Sequence, residues 1–179
     1  NANDKQALAW TANPAPSGFS RRSCKPSGDG SPCGWLFKGS AVVQSVKQFV
    51  SLPVYSIGDY LVLNGVARRA NIAVGVSVKL QVKYNTGQSD SVKLKFSAGS
   101  DVVYTPFTRQ MALNRPLADV TAASVTFTST AASGKIYIDD ISISVVPRFP
   151  RDSGGASLPP PSAPVGLRGL MLVTSAAAF

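Results

Sequence analysis

Val74-Gly75-Val76-Ser77-Val78-Lys79-Leu80-Gln81-Val82-Lys83-Tyr84 decides the fold class. Val74, Val76, Val78, Leu80, Val82 and Tyr84 alternate with Gly75, Ser77, Lys79, Gln81 and Lys83. A period of two puts one set into a core and the other into water, which is the pattern of a half-buried strand. Asn85-Thr86-Gly87 supplies a turn, after which Val92, Leu94 and Phe96 alternate with Lys93 and Lys95 and complete a hairpin. The same alternation predicts strands over 41–52, 59–67, 102–113, 122–129 and 135–146, separated by Gly, Pro, Asn or Ser clusters. Helical periodicity is nearly absent. Short strands at this spacing without intervening helices form an antiparallel sandwich or barrel, not a parallel sheet.

The last of these strands changes phase. Ile136 and Ile138 share one parity, Ile141, Ile143 and Val145 the other, and Asp139-Asp140 stands at the switch. A β-bulge there keeps both sets on a single buried face. Such a bulge either positions a functional side chain or lets a carboxylate satisfy nearby backbone N–H groups.

Composition removes much chemistry. The 179 residues include no His, and all nine acidic residues are Asp. Without imidazole there is no Ser/His/Asp or Cys/His triad and no His-ligated zinc, iron or haem. Asp139 and Asp140 are the only adjacent carboxylates, and neighbours on a regular strand point to opposite faces, so a glycosidase pair is disfavoured and the chain reads as a non-enzyme. The formal net charge is +9, yet the 18 Lys and Arg are scattered, with only Arg21-Arg22 and Arg68-Arg69 adjacent. Lys79, Lys83, Lys93 and Lys95 fall on every-other-residue positions that strands point outward. This sparse pattern argues against nucleic-acid binding; solvated faces and guarded sheet edges account for it, as does attraction to an acidic polysaccharide or anionic cell surface. No segment reaches the roughly eighteen apolar residues of a membrane span, and a first residue Asn1 is what a processed, secreted chain shows.

Cys24 and Cys33 bracket a loop with two Pro and two Gly, and a disulfide between them is expected. Closing so short a loop contributes about 2–3 kcal/mol in the chain-entropy model. The chain divides into an N-terminal arm with this loop (1–34), a β-sandwich (35–146), a linker (147–166) holding six of the 13 prolines, and an apolar C-terminal strand (167–179). Ser153, Ser157 and Ser162 in that linker are candidate O-glycosylation sites.

Gly58-Asp59-Tyr60-Leu61-Val62-Leu63-Asn64-Gly65, the hairpin over 74–96 and the closing Gly134-Lys135-Ile136-Tyr137-Ile138-Asp139-Asp140-Ile141-Ser142-Ile143 together resemble the jelly-roll carbohydrate-binding modules of the galactose-binding-like superfamily. The resemblance covers about residues 35–146 and implies an antiparallel jelly-roll β-sandwich, here with an extended N-terminal arm and a Pro-rich C-terminal tail. It also implies a possible structural calcium held by an Asp of the closing strand, for which Asp139 or Asp140 is the matching ligand; no other cofactor is expected. The opening Asn13-Pro14-Ala15-Pro16-Ser17-Gly18-Phe19-Ser20 lacks the Glu usual in such modules. Sugar recognition in the family uses aromatic rings against apolar sugar faces, which makes Trp10, Trp35 and Tyr55 the candidates here, with core packing as the competing role for each Trp. Tyr60, Tyr84 and Tyr137 sit in alternating patterns suited to a core or sheet face.

Two functions from different classes follow. In the first, the chain is a non-enzymatic extracellular structural subunit. Leu167, Leu170, Met171, Leu172, Val173 and Phe179 dock on a neighbouring sandwich as an added strand, and head-to-tail repetition builds a fibre or surface layer. The bland counterpart is a tail folding onto its own domain. In the second, the chain is a carbohydrate-binding module whose partner is a polysaccharide.

Overall fold

A computed structural model describes residues 10–15, 18–23 and 34–148. Among the described residues ten strands form two five-stranded antiparallel sheets, an all-β jelly-roll sandwich. In chain order they are β1 (Thr11–Asn13), β2 (Ser20–Ser23), β3 (Gly34–Lys38), β4 (Gln44–Val50), β5 (Tyr60–Ala70), β6 (Val76–Tyr84), β7 (Ser89–Phe96), β8 (Thr105–Ala112), β9 (Val120–Ser129) and β10 (Lys135–Val146). One sheet has the order β1-β4-β9-β6-β7, the other β2-β3-β10-β5-β8.

The alternating stretch becomes β6, with Val76, Val78, Leu80, Val82 and Tyr84 buried and paired in register with β7 and β9. Val74 lies outside the strand and is 71% exposed. The core between the sheets takes one parity from each strand: Val46, Leu61, Leu63, Val78, Leu80, Val125, Phe127, Ile136 and Ile138 are all at 1% exposure or less. Aromatic rings bridge the layers, with Phe107 edge-on to Phe96 at 5.3 Å and to Phe127 at 6.4 Å. Residues 1–34, read from sequence as an arm, give β1 and β2, one to each sheet, and Gly34 opens β3.

The phase change in β10 is a bulge. Asp139 pairs with Val66 and Ser142 with Asn64, so Asp140 and Ile141 together oppose the single residue Gly65. Ile136 and Ile138 on one side and Ile141 on the other are therefore all buried. Asp140 takes φ 50°, a left-handed conformation that carboxamide and carboxylate residues tolerate best among non-glycines. Its N–H donates to Asp139 Oδ1 at 3.0 Å. The carboxylate at the switch thus satisfies backbone, while Asp140 itself turns to solvent.

Cys24 and Cys33, between which a disulfide is expected, the C-terminal residues Leu167, Leu170, Met171, Leu172, Val173 and Phe179, and the serines Ser153, Ser157 and Ser162 lie outside the described residues. Among the described residues no helix is long and apolar enough to cross a membrane.

Candidate functional site

Trp10 and Trp35 are core residues, at 1% and 0% exposure, and this corrects their candidacy as sugar platforms. Trp10 packs against Phe127 at 6.0 Å, and the Trp35 indole N–H donates to Ser20 Oγ at 3.1 Å. A ring enclosed on all sides has no face to offer a sugar; each indole contributes burial instead.

Tyr55 leads to a different place. Its hydroxyl donates to the Arg115 carbonyl at 2.9 Å, tying the β4–β5 connection to the β8–β9 connection at one end of the sandwich. Beside that tie a cleft of about 610 Å³ is lined by Gln88, Ser89, Asp90, Asn114, Arg115, Pro116 and Asp119. Two segments build it. The β6–β7 turn is closed by the Gly87 N–H to Tyr84 carbonyl and Tyr84 N–H to Gln88 carbonyl bonds, both 3.0 Å. The β8–β9 connection carries a short 3-10 turn, Leu117–Asp119, and its Asp119 carbonyl accepts the Asn85 N–H at 2.9 Å.

The polar groups are held by one another. Tyr84 Oη donates to Asp90 Oδ2 at 2.8 Å, and Asn114 Nδ2 lies 3.4 Å from the same oxygen. The Arg115 guanidinium donates to Gln88 Oε1 and stands 5.5 Å from the Tyr84 ring centroid. Asn85 Nδ2 approaches Asp119 Oδ1 at 3.4 Å. Burial, then the bond to Asp90 and that carboxylate's charge, push the Tyr84 hydroxyl well above its ordinary pKa. Tyr55 is raised as well, by burial first and then by Asp119 and Asp90. Both phenols therefore stay protonated as donors at neutral pH. The cleft presents two carboxylates, two carboxamides and a guanidinium, a set that both accepts from and donates to vicinal hydroxyls.

A second, shallower groove of about 420 Å³ follows the bulge, lined by Asn64, Gly65, Val66, Pro106, Phe107, Thr108 and Asp140. Nearby on the same sheet, Arg68 is flanked by the rings of Tyr137 at 5.0 Å and Tyr104 at 5.6 Å.

The expected calcium would draw its ligands from around the bulge. Asp139 is fully buried with Oδ1 engaged by the Asp140 N–H, Asp140 faces solvent, and the described residues hold no group of three metal-ligating acidic, His or Cys side chains. Calcium takes six to eight oxygens. Asp139 and Asp140 by themselves do not compose such a site. Sequence reasoning named Tyr55, which stands beside the cleft and not in its lining, and did not name Gln88, Asp90, Asn114, Arg115 or Asp119.

The fold can be set against known proteins. No protein-family model matches the chain, and no curated protein matches it. Solved structures do. The enzymatically active domain of tailspike protein 4 of bacteriophage CBA120 superposes with a TM-score of 0.61 at 11% identity over 79% of this chain and 20% of that one. This chain therefore spans about a fifth of the tailspike's length. A family 16 carbohydrate-binding module gives 0.53 at 16% identity, covering 70% of this chain and 86% of the module. The CBM22-1 xylan-binding domain of Paenibacillus barcinonensis Xyn10C gives 0.54 at 11% identity, covering 82% and 92%. The chain has the jelly-roll fold of carbohydrate-binding modules.

Proposed function

We propose that this chain is a non-catalytic carbohydrate-binding module, secreted, that recognises polysaccharide hydroxyls in the cleft at the Tyr55 end of the sandwich. The observation that carries the reading is the cleft itself, where Gln88, Asp90, Asn114, Arg115 and Asp119 converge on about 610 Å³. The fold shared with modules such as the xylan-binding domain supports it, although fold alone does not assign a ligand. Recognition here rests on hydrogen bonding, since the two tryptophans are buried.

Isothermal titration against xylan, galactan and glucan oligosaccharides tests the proposal. Asn114→Ala removes an amide able to bind a hydroxyl and Asp90→Asn replaces a charged acceptor with a neutral one; a charged hydrogen bond contributes about 1.5–3 kcal/mol against about 1 for a neutral one, so the Asp90 variant is expected to weaken binding about three- to thirtyfold. Binding to none of these sugars, or equal binding by both variants, overturns the assignment. The assembly reading rests on the sequence of residues 167–179 alone and takes second place.

A further inference from the structure

The strand register assembles a charged surface that the cleft does not use. Residues directly opposite in an antiparallel sheet share a face. Lys47 on β4 opposes Thr126 on β9, Thr126 opposes Lys79 on β6, and Lys79 opposes Lys93 on β7. One line of ammonium groups thus crosses four neighbouring strands. Lys83 and Lys95 lie on the same face, two steps of strand alternation from Lys79 and one from Lys93 respectively. Between them stand Ser45, Ser77, Ser91, Thr128 and Gln81. At the usual strand spacing and rise this lattice spans about 14 Å across the strands and about 20 Å along them.

No Asp among the described residues falls in these rows, and the one salt bridge among those residues, Arg69 with Asp101 at 2.6 Å, belongs to the other sheet. Lys79 and Lys93 are directly opposite, an arrangement of like charges that destabilises a sheet. Guarding an edge explains lysines on β7, which is an edge strand. It does not explain Lys47 and Lys79, because β4 and β6 are interior. Five lysines with Ser, Thr and Gln between them and no Asp make this face complementary in charge to an anionic partner.

We infer that the outer face of the β1-β4-β9-β6-β7 sheet binds an anionic polysaccharide, a glycan bearing carboxylate or sulfate groups. The lysines meet its charges as point cations while the Ser, Thr and Gln side chains between them meet its hydroxyls. Nucleic acid fits less well. The rows contain no Arg for bidentate phosphate or base contacts, and their one aromatic, Phe49, has Lys47 Nζ over its ring at 4.4 Å. This inference stands apart from the cleft and does not rest on it.

The test measures affinity of the full chain for polygalacturonate, dextran sulfate, uncharged dextran and double-stranded DNA at 50 and 200 mM salt. Salt-sensitive binding to at least one anionic glycan is expected, with any affinity for dextran insensitive to salt and to the lysine variants, the two anionic probes separating carboxylate from sulfate. Lys79→Gln with Lys93→Gln should weaken it at least tenfold and lower the slope of log affinity against log salt by about one per lysine. The same pair should leave the melting temperature equal or higher, because it removes the opposed charges. Lys38→Gln with Lys135→Gln, on the other sheet, should leave the glycan affinity within about twofold. No binding at 50 mM salt, equal loss in both lysine pairs, or tighter binding to DNA than to either anionic glycan overturns the inference.

Discussion

Gly65→Ala puts the bulge to a quantitative test. Gly65 opposes Asp140 and Ile141 on β10 and Phe107 on β8. A methyl group on its Cα would stand 2.5 Å from Ile141 Cδ1 and 2.6 Å from Phe107 Cζ. Carbon atoms rest comfortably at about 3.5–4.0 Å, so each neighbour must retreat by about 1 Å. The Ile141 tip has some freedom, whereas Phe107 is wedged between Phe96 and Phe127. Overpacking of this kind costs about 1–3 kcal/mol, offset by the roughly 0.5–1 kcal/mol that Ala gains over Gly within a strand. A net loss of about 1–2 kcal/mol lowers the melting temperature by about 2–8 °C for a chain of this size. Urea denaturation and calorimetry read both quantities. Ile141→Val deletes the clashing Cδ1 atom, so it should cost about 0.5–1.5 kcal/mol alone and distinctly less beside Ala at position 65. An unchanged melting temperature in Gly65→Ala, or strict additivity in the double variant, refutes the packing described for the bulge.

Other expectations are simpler to state. Gly134→Ala should be far more damaging than Gly65→Ala, since φ is +81° and a Cβ would lie 2.0 Å from the Asn71 carbonyl oxygen, a backbone atom; loss of soluble folded protein is the readout. Acid should destabilise the fold through Asp101 and Asp59. Bonds from the Arg69 side chain hold Asp101 below the ordinary carboxylate pKa, and the Ser56 and Arg148 backbone N–H groups do the same for Asp59. Their stabilisation is fully present above the unfolded pKa of about 4 and is lost as pH falls through the lower folded values, so urea midpoints should hold from pH 7 to 5 and drop below pH 4. In Asp101→Asn that drop should be smaller, and an equal drop counts against the pairing. Ser129 Oγ is fully buried with no hydrogen-bond partner among the described residues, so Ser129→Ala should change stability by less than about 0.5 kcal/mol, measured by the same denaturation. Adding millimolar calcium to chelator-treated protein should move the melting temperature by less than about 2 °C; a larger rise would show that backbone carbonyls or other oxygens complete a site with Asp139 or Asp140.

How much the sequence discloses depends on whether the signal is local. The β6–β7 hairpin announces itself because Val76 to Phe96 pairs with its own neighbours across Asn85-Thr86-Gly87, and period-two alternation is all that such pairing needs. The bulge is legible for the same reason, as a parity change within one strand. Strands β1 and β2 are not, because Thr11–Asn13 and Ser20–Ser23 are short and polar, and their partners are eleven to thirty-six positions away. Strand β3 hides differently: Gly34 to Phe37 are all buried, so no alternation marks them. At its ends the pattern overreaches, with Val102 94% exposed ahead of β8. Sites are harder still. Asn114 and Asp119 reach Asp90 and Asn85 only because β8 and β9 deliver their connection to the end where β6 turns, and nothing along the chain encodes that meeting. Four lysines of the charged face were visible as alternation on one hairpin; Lys47 joined them through cross-strand register alone.

The central claim is that the Tyr55-end cleft receives polysaccharide. Amide chemical-shift mapping on the uniformly labelled chain, titrated with xylan and galactan oligosaccharides, tests it most directly. The account predicts saturable shifts concentrated at residues 85–90 and 114–119, lost in Asp90→Asn. An unchanged spectrum with every oligosaccharide, or shifts confined to other surfaces, would contradict it.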